Sequence, residues 1–302
     1  MQTNQLHKIT WQDSIWFSDV DDTLINTAKN TEVASEGVEL VFTARFGKEI
    51  GKKIKKNFIE VFHTMMAGLR NKTEDDWSTS AIKKEEFDNL WEKIEKYQQE
   101  IKEKYGTVKK FSREIFIQIA ADRANLQISP ELLYEAADAY WVTLSEKTEL
   151  LPGVKNLTDI IKQHGRPLYL ITSSDARLKL KSNGQFEYIP EYSESFKRER
   201  MQLLRNKGLE FNIVSIGDPE DKPHLDFFKK GINLAEKDFG SPIILKNAIF
   251  MGDSFTADLQ TPKEQLGFGL VVLCQEEKAI VEIIDEHQIT TNNLEKIIPY
   301  FL

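Results

Sequence analysis

Hydrophobic and polar positions follow two rhythms along this chain. Near the start, Ile15-Trp16-Phe17 is a continuous apolar run, the signature of a strand buried on both faces. It predicts a strand from Ile15 to Ser18, with Asp19 at its carboxyl end. From about residue 27 the rhythm turns helical. Glu32 to Phe46 places Val33, Val38, Leu40, Val41 and Phe42 on a broad apolar face, and Ile54 to Leu69 does the same with Ile54, Phe58, Val61, Phe62, Met65 and Met66. The polar stretch Asn71 to Ser80 reads as a loop. A long charged helix is expected from about Lys83 to Lys104, striped by Phe87, Leu90, Trp91, Ile94, Tyr97 and Ile101 and ended by Gly106. Ser112 opens a helix to about Asn125. Ser129-Pro130-Glu131 opens another to about Leu144, with a hydroxyl cap, a proline at the first position and an acid in the first turn.

The pattern changes at Leu150. Pro152-Gly153 is a break, Val154 to His164 is a short amphipathic helix, and the apolar run Leu168 to Ile171 ends in Thr172-Ser173-Ser174-Asp175. Strands are predicted over Phe211–Ile216, Ala248–Met251 and Leu270–Leu273, and helices over Leu225–Ala235, Ala279–Glu286 and Leu294–Phe301. Strands alternating with helices predict a parallel sheet with crossover helices. The expected fold class is α/β: a doubly wound, parallel-sheet, Rossmann-like core from residues 1–26 and 150–302, with an all-helical domain, residues 27–149, inserted. Ligands of such sheets bind at the carboxyl ends of the strands. Three strands end there in reactive residues: Asp19 with Asp21, Thr172 with Ser173, and Asp253.

Composition narrows the function. Forty basic against 48 acidic residues give a net charge of −8, which leaves no excess of cations for nucleic-acid backbones. No run reaches the roughly 18 apolar residues of a membrane span, and residues 1–13 lack an apolar stretch of signal-peptide length. The expectation is a cytoplasmic protein that touches neither nucleic acid nor membrane. The single cysteine, Cys274, excludes an intrachain disulfide and a cysteine zinc cluster, and reads as a small apolar residue at a strand end. Oligomeric state has no readable signal.

The chemistry concentrates at the first strand. Asp19, Asp21 and Asp22 put three carboxylates in four positions, where mutual repulsion calls for a cation or a phosphate-handling role. The competing reading is an acidic turn that caps the next helix. Asp19-Val20-Asp21-Asp22-Thr23-Leu24 resembles motif I of the haloacid dehalogenase-like (HAD) superfamily, and Leu168-Tyr169-Leu170-Ile171-Thr172 resembles motif II. Lys222-Pro223-His224-Leu225-Asp226-Phe227-Phe228 is similar to the motif III context, and Gly252-Asp253-Ser254 with Asp258 to motif IV. The helical insert between motifs I and II matches the position of the family's C1 cap.

The resemblance implies a Mg²⁺-dependent phosphatase acting on a small-molecule phosphate monoester through an aspartyl-phosphate. Asp19 would be the nucleophile, and Asp21 the general acid and base, its pKa raised by crowded acids. Thr172 and the Ser173 amide would hold the phosphoryl group. Lys222 would balance charge; Lys229 and Lys230 compete for that role. Asp19 and Asp253 would offer side-chain oxygens to the metal and Asp21 its backbone carbonyl, with Asp258 ligating directly or through water. A phosphomutase on the same core and a non-catalytic binding protein on the scaffold are the alternatives. A dehalogenase is disfavoured by the presence of Asp21.

Two departures from the family pattern stand out. Asp22 takes a place where many members have glycine, either adding charge beside the metal or capping the turn. The segment 175–212 is long, consistent with a small added cap element. It carries Arg177, Lys179, Lys181, Tyr188 and Tyr192; Arg177 reads as a solvated loop arginine or as a contact to a substrate anion. Asn26, Thr27, Arg70 and Trp77 are candidate selectivity positions.

Overall fold

The computed structural model describes residues 6–71, 73–173, 176–217, 221–275 and 281–301, without the side chains of residues 69 and 70. The chain divides into two compact units. The α/β unit comprises residues 1–28, 148–174 and 194–302; the helical unit comprises residues 29–147 and 175–193.

In the α/β unit, β1 (Ile15–Ser18) lies between β2 (Leu168–Ser173) and β6 (Ala248–Gly252), parallel to both. β5 (Val214–Gly217) extends the sheet beyond β2, and β7 (Leu270–Cys274) and β9 (Gln288–Thr291) extend it beyond β6, all parallel. β8 (Glu282–Asp285) closes that edge antiparallel to β9, giving the order β5-β2-β1-β6-β7-β9-β8. The side-chain alternation of strands sorts the core into two layers. Trp16, Leu170, Met251 and Val272 pack with Leu157 and Ile161 of α8 (Val154–Gln163). Phe17, Tyr169, Phe250 and Val271 pack with Phe227, Phe228 and Ile232 of α10 (Leu225–Phe239). Each such side chain contributes about 1.5–3 kcal/mol on burial, so the central strands are held from both faces.

The helical unit is built from α1 (Thr31–Phe46), α2 (Lys48–Arg70), α3 (Glu74–Thr79), α4 (Lys84–Tyr97), α5 (Gln99–Tyr105), α6 (Arg113–Arg123) and α7 (Pro130–Lys147). Two features depart from the sequence reading. The polar loop contains α3, started by a capping box in which Thr73 and Asp76 bond reciprocally. The long charged helix breaks at Gln98, whose buried amide bonds both the carbonyl and the N–H of Lys109. The unit also takes in an antiparallel hairpin, β3 (Leu178–Leu180) and β4 (Phe186–Tyr188). Phe186 meets Tyr97 edge-on, and the Leu180 N–H bonds the Tyr134 hydroxyl at 2.7 Å. The hairpin therefore packs with the helices. The unit boundary falls within α9 (Pro190–Asn206).

Two further corrections concern the carboxyl-terminal region. The predicted helix Ala279–Glu286 is strand β8 over 282–285; Ala279 and Ile280 lie outside the described residues. Its alternating exposed and half-buried positions carry Ile283 and Ile284 between acids, a period of two and not 3.6. The predicted helix Leu294–Phe301 is a tighter 3₁₀ turn, Leu294–Tyr300, with Pro299 inside.

Candidate active site

The strand order sets the carboxyl ends of β2, β1 and β6 side by side. Ser18 pairs with Leu170 on one flank and Met251 on the other, so Asp19 follows β1 between the end of β2 and the end of β6. The Asp19 N–H donates to the Met251 carbonyl at 2.9 Å, which fixes the nucleophile candidate to the neighbouring strand. Thr172 is buried at the end of β2.

A carboxylate–lysine centre occupies this point. Lys222 Nζ lies 2.5 Å from Asp19 Oδ1 and 2.7 Å from Asp258 Oδ1. Both oxygens are buried and have no aligned hydrogen-bond donor, so the ammonium meets them as charge. Oxygens of Asp19, Asp253 and Asp258 lie within 4.8 Å of one another. Burial pushes Asp19 up to about 7; Lys222 opposes that shift, and Asp258 and Asp21 add to it. Burial, then Asp19, Asp258 and Asp22, push Asp253 up to about 9. Burial disfavours the Lys222 ammonium, but Asp19 and Asp258 outweigh it and raise its pKa. Lys229 is exposed, and Lys230 donates to the Ile216 carbonyl, so of the three lysines it is Lys222 that reaches Asp19.

Asp258 reaches the centre because Gly252 lets it. A Cβ on Gly252 would lie 2.4 Å from the Asp258 Cβ and 2.9 Å from its carboxylate. The other Asp258 oxygen accepts the Ser254 N–H at 2.9 Å, which aims the carboxylate. The half-buried thiol of Cys274, at the end of β7, is pushed up by burial first and then by Asp253, Asp258 and Asp19.

Asp21 is held differently from the expectation. Its neighbours are cations: Lys197 Nζ is 2.6 Å from Oδ2 and Arg200 Nη2 is 3.4 Å from Oδ1, while the Thr27 hydroxyl donates to Oδ1 at 2.6 Å. Burial works against ionisation, but Lys197 and Arg200 outweigh it and hold the carboxyl well below the usual carboxylate range. The pKa is lowered, not raised by crowded acids. Lys197 and Arg200, on α9, were not singled out by sequence. They sit in Phe196-Lys197-Arg198-Glu199-Arg200, a run that reads as a solvated face.

Loop contacts complete the surroundings. Asp221 accepts the Ser173 hydroxyl at 2.6 Å and the Lys222 N–H at 2.7 Å, tying the end of β2 to the lysine loop. Asp22 adopts φ +57° and accepts the N–H groups of Thr27 and Ala28 at 2.9 and 2.8 Å, the capping role. Asn26 bonds Glu149 through its N–H and its side chain, at 3.1 and 2.7 Å. In the helical unit, Trp77 packs on Phe87. Arg177 is neither solvated nor directed at an anion from outside: it is buried against Glu114 and Asp138. The side chain of Arg70 and all of Ser174 and Asp175 lie outside the described residues.

The donor set suits a hard divalent cation. Three carboxylates offer only oxygen, the preference of Mg²⁺ and its like. Lys222 meets Asp19 and Asp258, and one oxygen of each lacks an aligned donor, so the cluster has acceptor capacity left for a cation.

No protein-family model matches the sequence, and no curated protein matches it. Solved structures do. A protein assigned as a beta-phosphoglucomutase from Thermotoga maritima superposes with a TM-score of 0.51 at 13% identity, covering 95% of this chain and 97% of that one. YfnB of Bacillus subtilis, assigned as a HAD hydrolase and bound to magnesium, gives 0.46 at 16% identity over 96% and 97%. A HAD phosphatase from Thermococcus onnurineus gives 0.45 at 15% identity over 95% and 99%. At these identities the likeness speaks for the fold, and the Thermotoga structure carries it.

Proposed function

We propose, for a chain with the haloacid dehalogenase-like fold, that it is a phosphatase of small-molecule phosphate monoesters, working through a phosphoryl group carried on Asp19 and assisted by Mg²⁺. The observation that carries this reading is the buried centre in which Lys222 Nζ touches Asp19 and Asp258 while Asp253 completes the carboxylate set. Phosphoryl transfer asks a protein mostly for positioning and charge, and these residues provide both.

Asp19, Asp253 and Asp258 would hold the metal, with the Asp21 backbone carbonyl. When bound, the metal neutralises the approach of a carboxylate to an anionic ester. Asp19 attacks phosphorus, the ester bond to the leaving oxygen breaks, and that oxygen takes a proton. Lys222, Thr172 and the Ser173 amide hold the phosphoryl oxygens. In the second half-reaction Asp21 takes a proton from water, which attacks the phosphoryl group and frees Asp19. Asp21 is ionised, the charge state of a base, but its lowered pKa makes it a weak one until its cations draw back. Its role as proton donor in the first requires its contacts with Lys197 and Arg200 to loosen.

The test is phosphate release from a broad panel of phosphate monoesters, with and without Mg²⁺, by the wild type and Asp19→Asn. Mg²⁺-dependent turnover that disappears in Asp19→Asn is expected. Turnover that survives the substitution overturns the nucleophile, and isomerised ester without free phosphate replaces the phosphatase by a mutase.

A further inference from the structure

Among the described residues, the helical unit buries two arginines and treats them differently. Arg177 is 2% exposed, with Nε 2.5 Å from Glu114 and Nη2 2.6 Å from Asp138. That is the usual condition of a buried cation, paired and hydrogen-bonded. Arg113 is 6% exposed. Its Nε and Nη1 are buried without a hydrogen-bond partner, and no carboxylate lies within ion-pair distance of it among the described residues. Its sequence neighbour Glu114 is committed to Arg177.

Aromatic rings surround Arg113 instead. The ring centres of Trp141, Tyr140, Phe62 and Phe116 lie 4.9, 5.0, 5.7 and 5.9 Å from its Cζ. Ring faces answer the charge of a guanidinium. They do not answer its N–H groups, which need acceptor oxygens in the plane of the fork. An orphaned buried donor costs about 1–3 kcal/mol, more when charged. Such groups in native proteins commonly mark a ligand, an ion or a water.

We propose that Arg113, framed by Phe62, Phe116, Tyr140 and Trp141, is the recognition residue of an oxyanion site in the helical unit. Its ligand is the carboxylate or phosphate group of a small molecule, which supplies the acceptor oxygens the chain withholds. The site does not depend on the phosphatase reading. The group belongs either to the substrate itself or to a separate small anion.

Calorimetric titration of the metal-free full chain with inorganic phosphate and with malonate tests it. Saturable binding is expected in the wild type and in Lys222→Met, which disables phosphate holding at the α/β centre. Binding is expected to vanish in Arg113→Met and to weaken about tenfold in Arg113→Lys, which keeps the charge but not the fork. No saturable binding in the wild type overturns the site. So does binding that Arg113→Lys leaves unchanged, a result that stands even where Arg113→Met fails to fold. Turnover then distinguishes the two sources. A KM raised in Arg113→Lys only for phosphate esters with a second anionic group assigns the oxyanion to the substrate. An unchanged KM with weakened anion binding assigns it to a separate ligand. Either result upholds the site.

Discussion

Asp22 holds a left-handed backbone at φ +57° while its carboxylate accepts two N–H groups. Aspartate tolerates that region better than most residues. Asp22→Ala loses both bonds and adds backbone strain, and is expected to cost about 1–2 kcal/mol in urea unfolding. Asp22→Gly loses the bonds but relaxes the backbone, so it should cost less. Gly252 makes the converse demand. A Cβ there collides with Asp258, and Gly252→Ala should weaken Mg²⁺ affinity by about 10–100-fold, measured by titration, since it displaces a candidate ligand. The acids of the candidate centre were legible in sequence because their spacing at strand ends is distinctive. Lys197 and Arg200 were not. Lys197 is 1% exposed and its neighbour Arg198 is 52% exposed, yet nothing in a charged helical run separates them. Only the packing of α9 decides which cation turns inward.

At the scale of elements, legibility followed burial. β1, β2, β6 and β7 are almost wholly buried, so each appears as an apolar run. β9 is as buried, but its sequence is Gln-Ile-Thr-Thr, and polar residues that pair inside the fold look like loop residues outside it. β8, an edge strand with acids at both ends, reads in sequence as a helix; charge on an edge is how sheets avoid pairing with other chains. The β3–β4 hairpin has a strong dependence on one ion cluster. Arg177→Met strands the fully buried Glu114 and is expected to destabilise by about 3–5 kcal/mol. Arg177→Met with Glu114→Gln should recover part of that loss, and equal losses in the two variants would contradict the assignment.

At the scale of the whole molecule, the proposed metal site links to stability. A cation that binds the folded chain alone raises the melting temperature in proportion to RT ln(1 + [L]/Kd). Mg²⁺ is therefore expected to raise it saturably, with reversal by chelator, and to do much less for Asp253→Asn; scanning calorimetry reads both. The helical unit has a different kind of consequence. It is assembled from two separate stretches of chain, 29–147 and 175–193. In genetic terms, no single deletion removes it and spares residues 148–174 of the α/β unit. Loss of 29–147 alone would leave Leu178, Phe186 and Tyr188 without the helices they pack among, and Arg177 without Glu114 and Asp138. Two coordinated deletions would be needed to take out the unit and keep residues 148–174 of the α/β unit, so any truncation has to treat its two stretches together.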